Sequence, residues 1–256
     1  ALWPCFETFH LTQNMRALLD STFTSLLLAI GNGTAPMNKN NLVALPSDLC
    51  IPFQSEDASL QQLVDFVYPE LATENNQPLD LHNHMLLTTK NAFVDDINAL
   101  LIDSFPGDPV EYYSRDETVT ESDQGTYEDM INALCPPGMP PHKLVLKENC
   151  PIILLRNMDP TEGLCNGTRL VCGKLSKNVI QATISAGDYT GKQVTLHRIP
   201  LKPSSDVQVL VPFTRTQFPI RLCFAMTINK LQGQSLDRVG IYLKEPVFSH
   251  GQLYVA

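Results

Sequence analysis

Three short stretches place hydrogen-bonding side chains where an apolar run hands over to a helix. "LTQNMR" carries Gln13, Asn14 and Arg16; "TTKN" carries Thr88, Thr89, Lys90 and Asn91; "TINKLQGQSL" carries Thr227, Asn229, Lys230, Gln232, Gly233, Gln234 and Ser235. None of the three contains a carboxylate. Small neutral donors beside a single cation suit a sugar-phosphate chain, and Gly233 lets backbone approach a ligand closely. Each stretch also has an ordinary structural reading. Arg16 could be a surface charge in a helix's first turns, "TTKN" a helix cap, and the third stretch a polar turn. Residue types alone leave both readings open.

Other chemistries find less support. A phosphate cradle of the form G-x-x-x-x-G-K-[ST] is absent, because Leu175 follows Gly173-Lys174 and Gln193 follows Gly191-Lys192. No long apolar strand ends in an acidic pair suited to Mg²⁺, and Asp95-Asp96 reads as the start of a helix, where negative charge suits the dipole. Paired catalytic carboxylates, a nucleophilic triad and a metal-binding His/Cys cluster are not indicated. The segment carries no complete catalytic site, and no metal ligands are assigned.

The elements around these stretches read as α/β. Residues 11–30 space apolar side chains at helical intervals until "GNG" at 31–33 stops them. "ASLQQLVDFVYPEL" reads as a short helix. "HNHMLLTTKN" reads as an apolar strand, and "AFVDDINALLIDSF" as the amphipathic helix after it, an order that places ligands at a strand's carboxyl end. The acidic stretch 107–130 reads as an exposed connector. "PPGMPPHKL" marks a boundary, followed by short strands in "HKLVLKE", "PIILLRN", "TRLVCGKL", "VIQATIS" and "QVTLHRIPL", with turn chemistry between them. These predict a small barrel. "QFPIRLCFAMTI" then reads as one strongly apolar strand.

The 256 residues carry a net charge of −9, distributed unevenly. Residues 1–140 hold 4 Lys and Arg against 20 Asp and Glu, whereas residues 141–256 hold 14 against 7. The second half can therefore meet phosphate although the whole is acidic. No apolar run approaches the roughly 18 residues of a membrane span, and no targeting leader is visible. The opening Ala1 suggests a fragment or processed chain. Seven scattered cysteines without a C-x-x-C pair read as free buried thiols in a reducing compartment, which leaves the sequons at Asn32 and Asn166 as chance matches.

The series "LTQNMRA", "LLTTKNAFVDDIN", "CPIILLRNMDPTEGLCNGTRL" and "FAMTINKLQGQSLDRVGIYLKEPVFSHGQLYVA" closely resembles the petite-integration-frequency (PIF) group of superfamily-one DNA helicases, relatives of RecD. The resemblance implies the second, C-terminal RecA-like motor domain of a P-loop helicase, with residues 1–140 and 217–256 forming that domain and residues 141–216 an inserted SH3-like β-barrel. It implies that Thr88, Thr89, Asn91, Thr227, Asn229 and Lys230 face DNA phosphates. Gln13, Gln232, Gly233, Gln234 and Ser235 would lie on the nucleotide side, and Arg16 would reach the γ-phosphate much as an arginine finger does.

Implied cofactors are ATP and Mg²⁺, held mainly by a first motor domain outside this segment. Implied partners are single-stranded and forked duplex DNA and that first domain, in a monomeric, membrane-free protein of the nucleus, with the mitochondrion as a second location. Unwinding would run 5′ to 3′, in repair, recombination or telomere maintenance. The alternative is a catalytically inactive, single-stranded-DNA-binding remnant. The segment departs from the family at Asn229, commonly His, and at Leu231, commonly Ser. The family's pattern also continues past "LYVA" into Leu-Ser-Arg, whose arginine is a second γ-phosphate contact.

Overall fold

The computed structural model describes residues 6, 7, 9, 20–39, 42–72, 83–205, 207–249 and 251–256. It divides into two compact units, residues 1–52 with 246–256, and residues 53–245. In the first, helix α1 (Ser21–Gly31) begins where Asp20 Oδ1 accepts from Phe23 N at 2.8 Å. It ends at the expected "GNG". Gly31 is required there, because a Cβ would lie 2.9 Å from the Tyr254 ring of the short terminal helix Gln252–Val255.

The second unit holds the remaining elements. They run α2 (Glu56–Val67), β1 (His84–Thr88), α3 (Asn91–Ser104), β2 (Val110–Tyr113), β3 (Arg115–Thr118), α4 (Glu121–Ala133), β4 (Lys143–Leu146), β5 (Pro151–Leu154) and β6 (Arg169–Leu175). After these come β7 (Val179–Ile184), β8 (Gln193–His197), β9 (Ile199–Leu201), β10 (Phe213–Gln217), β11 (Ile220–Leu222), β12 (Ala225–Thr227), α5 (Ile228–Leu231) and β13 (Arg238–Tyr242). Helix α2 starts two residues before the expected Ala58, with Ser55 Oγ accepting from Ala58 N at 3.2 Å.

Strands β12, β1 and β13 form an all-parallel sheet with β1 in the middle. Parallel strands are covered on both faces, and here Met85, Leu86, Leu87 and Ala225 are all buried. Gly240 in β13 lets α2 lie close against the sheet: a Cβ would meet Val67 Cγ2 at 2.7 Å and Leu86 Cδ2 at 2.8 Å. A five-stranded antiparallel sheet runs β11-β5-β6-β7-β8, with its register shifting between Cys172 and Leu175. One apolar core runs through Leu86 and Ala225 of the parallel sheet, Ile97 and Leu101 of α3, and Ile152, Leu170 and Ile180 of the antiparallel one.

Four expectations are corrected. The acidic stretch 107–130 is not a connector: it forms β2, β3 and most of α4, and pairs into sheets β2-β4 and β3-β10-β9. Asp95 and Asp96 sit past the first turn of α3, which holds no acid. "QFPIRLCFAMTI" is not one strand. Residues 213–227 pass through three sheets in turn, as β10, β11 and β12. Pro219 cannot donate to a ladder, and the chain turns there, with Ile220 N donating to Phe218 O at 2.8 Å. Between β11 and β12, Cys223 N donates to Pro151 O while Phe224 N donates to Asn98 Oδ1. "QVTLHRIPL" likewise divides at Arg198 into β8 and β9, in different sheets.

Six cysteines are free among the described residues. Cys150, Cys172 and Cys223 are buried, whereas Cys50 and Cys135 are exposed and Cys165 half-buried.

Candidate functional site

Register places two of the three polar stretches side by side. Leu86, Leu87 and Thr88 of β1 pair with Ala225, Met226 and Thr227 of β12, so "TTKN" and "TINK" leave adjacent strands at the same level. Adjacent strands lie about 4.8 Å apart. Tyr242, at the end of β13, flanks Thr88 on the other side. The carboxyl edge of this sheet therefore gathers Thr88, Thr89, Asn91, Thr227, Asn229 and Lys230.

Helix capping does not account for these residues. Lys90 occupies the cap position of α3 and Thr227 that of α5, and neither helix receives a side-chain cap. The 14-residue α3 thus presents unbonded backbone N–H groups at this edge, where helix polarity favours an anion. Asn91, Asn229 and Lys230 are exposed and Thr227 is half-buried. Thr88 and Thr89, by contrast, are 0% and 2% exposed, and neither hydroxyl has a partner among the described residues. Unpaired buried polar groups cost about 1–3 kcal/mol each and are rare in natural folds.

The charges at the edge are largely paired. Lys90 binds Glu245, and Lys244 binds Glu56. Hydrogen bonds from Lys244 and Tyr242 hold the Glu56 carboxyl below the ordinary glutamate value. Lys230 forms no ion pair at contact distance among the described residues; its field acts on Asp95. Burial pushes the Asp95 carboxyl above the usual aspartate value, with Arg221 and Lys230 partly offsetting that.

Two residues to which the sequence reading gave no role hold the strand that carries Thr227. Asn98 of α3 is buried, and its Oδ1 accepts from both Phe224 N and Ala225 N at 3.0 Å. Tyr68 donates its Oη to Phe224 O at 2.5 Å. Burial pushes the Tyr68 phenol well above its ordinary value, so it stays a donor. Asn98 lies in the quoted "FVDDIN", but a single Asn on an amphipathic helix looks like surface. Only its position opposite the start of β12 reveals the clamp.

Gly233, Gln234 and Ser235 go elsewhere. Together with Asn83, which precedes β1, they line a cavity of about 470 Å³ that is completed by residues 167–169 and by Ser185, Ala186, Gly187 and Thr190. Asp237 N donates to Asn83 O at 2.9 Å, which fixes this turn at the amino end of β1. The five residues of β1 separate it from Thr88 by roughly 16 Å. Thus "TINKLQGQS" spans the sheet from edge to edge. Gly233 has φ +86° and open space around its α-carbon, while Gln232 is exposed and lies outside the cavity. Gln13 and Arg16 lie outside the described residues.

The family model for the DNA helicase Pif1 2B domain matches residues 129–175, from within α4 to the end of β6. Over that stretch the chain is similar to the Pif1 2B domain. ATP-dependent DNA helicase PIF1 of Xenopus laevis is 34% identical over 129 residues, covering 49% of this chain and 19% of that protein. ATP-dependent DNA helicase Pif1 of Bdellovibrio bacteriovorus is 31% identical over 140 residues, covering 55% and 30%. Among solved structures, Bacteroides Pif1 in complex with ADP-AlF3 and ssDNA superposes with a TM-score of 0.59 at 22% identity, covering 96% of this chain and 48% of that one. Candida albicans Pif1 gives 0.58 at 22% identity, covering 95% and 52%. These establish a shared mixed α/β fold. The chain spans less than a third of these two curated relatives and about half of the solved ones.

Proposed function

We propose that this chain is the second, C-terminal RecA-like motor half of an ATP-dependent DNA helicase. It translocates on single-stranded DNA and opens duplex, 5′ to 3′, in repair, recombination or telomere maintenance in the nucleus or mitochondrion. Residues 1–140 and 217–256 form the motor domain, and residues 141–216 an SH3-like insert that guides the strand. One observation carries this reading: Thr88 and Thr227 stand as register partners at one sheet edge, where α3 begins uncapped and Asn91, Asn229 and Lys230 are displayed.

The arrangement suits a phosphodiester backbone. The α3 N–H groups and the Asn91 and Asn229 amides donate to phosphate oxygens without reading bases, and Lys230 supplies charge. The Thr88 and Thr89 hydroxyls lie beneath that surface, so they reach a strand only where the edge opens.

ATP and Mg²⁺ belong mainly to a phosphate-gripping first domain outside this segment. Gln13, Gln232 and Gly233 to Ser235 face the nucleotide, and Arg16 stabilises charge developing on the transferring phosphoryl group. The segment between Thr227 and Ser235 runs from one edge of the parallel sheet to the other. Tightening at the nucleotide end therefore shifts the DNA contacts at the far end.

The test is single-stranded DNA binding by the full-length protein across a salt series. Asn229→Ala with Lys230→Ala is expected to weaken binding about tenfold and to make the slope of log K against log salt shallower by roughly 0.7, the share of one phosphate. Unchanged affinity and slope would overturn the assignment of this edge. Binding without any ATP turnover would favour the inactive remnant.

A further inference from the structure

The cavity at the amino end of the parallel sheet has features that packing does not explain. Among the described residues that line it, Arg169 is the one cation and none is an acid. Arg169 is 6% exposed, and burial pushes its guanidinium below the ordinary arginine value. Three loops reach the cavity with glycines in the left-handed region, Gly167 at φ +93°, Gly187 at +87° and Gly233 at +86°, each with open space where a Cβ would be. A side chain at any of the three would be strained.

Several polar lining groups have other partners. Thr168 Oγ1 donates to Gly163 O, Thr190 Oγ1 to Gly187 O, and Asn83 Nδ2 to Asp237 Oδ2. The Ser185 and Ser235 hydroxyls show no such bond among the described residues. The Gln234 side-chain oxygen is buried without a partner. About 470 Å³ is several times the volume of a bare phosphate and falls within the range of small-ligand sites.

We propose that this cavity binds one nucleotide unit by its phosphate. Arg169 supplies the charge, Ser185 and Ser235 the hydroxyl donors, and the Gln234 oxygen accepts from an amino or hydroxyl group of the same unit. This deepens the proposed function and rests on it. It adds the β6 and β7 loops to the "QGQS" turn as a phosphate site separate from the Thr88–Thr227 edge. The phosphate can belong to a strand or to a free nucleotide.

The test uses the full-length protein with two probes, a twelve-residue oligothymidylate and ADP. Two variants are compared, Arg169→Gln, which removes the charge, and Ser185→Ile, which fills the space. Each is expected to lose about tenfold affinity for one probe. A strand ligand also makes the salt slope shallower by roughly 0.7; loss with ADP alone identifies a free nucleotide. Unchanged binding of both probes by folded variants overturns the proposal.

Photocrosslinking of the wild-type protein needs no variant. An iodouracil-bearing strand or azido-ADP should label residues 167–190 or 233–235, and no adduct there in either arm also overturns it. Failure here with intact sensitivity to Asn229→Ala/Lys230→Ala leaves the edge assignment standing, and the reverse pattern removes that assignment alone.

Discussion

Two polar regions of the second unit treat hydrogen bonding in opposite ways. Around Arg215, which is fully buried, every guanidinium nitrogen is engaged. Nε and Nη2 reach the Asp116 carboxylate at 2.6–3.0 Å, Nη1 reaches Leu134 O and Pro140 O, and Nη2 also reaches Ile131 O at the end of α4. Ser114 donates to Asp116 at 2.6 Å, with His142 beside it. At the carboxyl edge of the parallel sheet, two equally buried hydroxyls have nothing to bond and two helices start without caps. Polar groups that serve the fold are paired within it, because burying them otherwise is expensive. That rule lapses at the position where open α/β sheets take ligands, which is why the proposed function places the strand there.

The contrast can be broken most forcefully at Arg215. Arg215→Ala leaves Asp116 buried without its arginine counter-charge and takes one donor from each of three carbonyls, of which Ile131 O keeps Leu134 N. Losses of about 3–5 kcal/mol are expected for such a break, read as a lower urea midpoint at constant slope. A loss no larger than a surface substitution's would show that the pairing is incidental.

Asn98 is the intermediate case, a saturated side chain that serves the unsaturated edge. Asn98→Ala strips two backbone N–H groups of their acceptor, for about 2–4 kcal/mol. Asn98→Asp keeps the acceptor and should recover most of it in the same unfolding measurement. Equal losses in the two variants would count against the clamp.

Thr88→Val should have the smallest effect. Replacing an unpartnered buried hydroxyl with a methyl of similar shape should leave stability unchanged or raise it by up to about 1 kcal/mol. A clear loss in thermal unfolding would mean that the hydroxyl has a partner in solution and that the contrast is overstated there.

Much of the carboxyl edge could be read from sequence because it obeys local rules. Thr88 and Thr227 each end an apolar run and precede a helix, and nothing distant is needed to see that. The division of residues 213–227 among three sheets was hidden, since from Phe218 to Met226 the run is apolar except at Arg221. Which partner each part finds depends on segments more than 50 residues away. The acidic stretch misled for a related reason. Asp116 looks like one more solvated charge until Arg215, 99 positions later, arrives to bury it. The cavity was legible only on one side: "QGQS" stood out, whereas Arg169 and Gly187 belong to hairpins whose turn chemistry explained them sufficiently.

The pairing of β1 with β12 has a kinetic consequence. Leu86 waits for Ala225, 139 residues further along the chain, and closing so long a loop is entropically unfavourable until much else is in place. The hairpins of β5 to β8 need no such wait. The parallel sheet, with the edge that displays Asn229 and Lys230, is therefore expected to form after those hairpins. Partly folded chains would then lack that edge altogether.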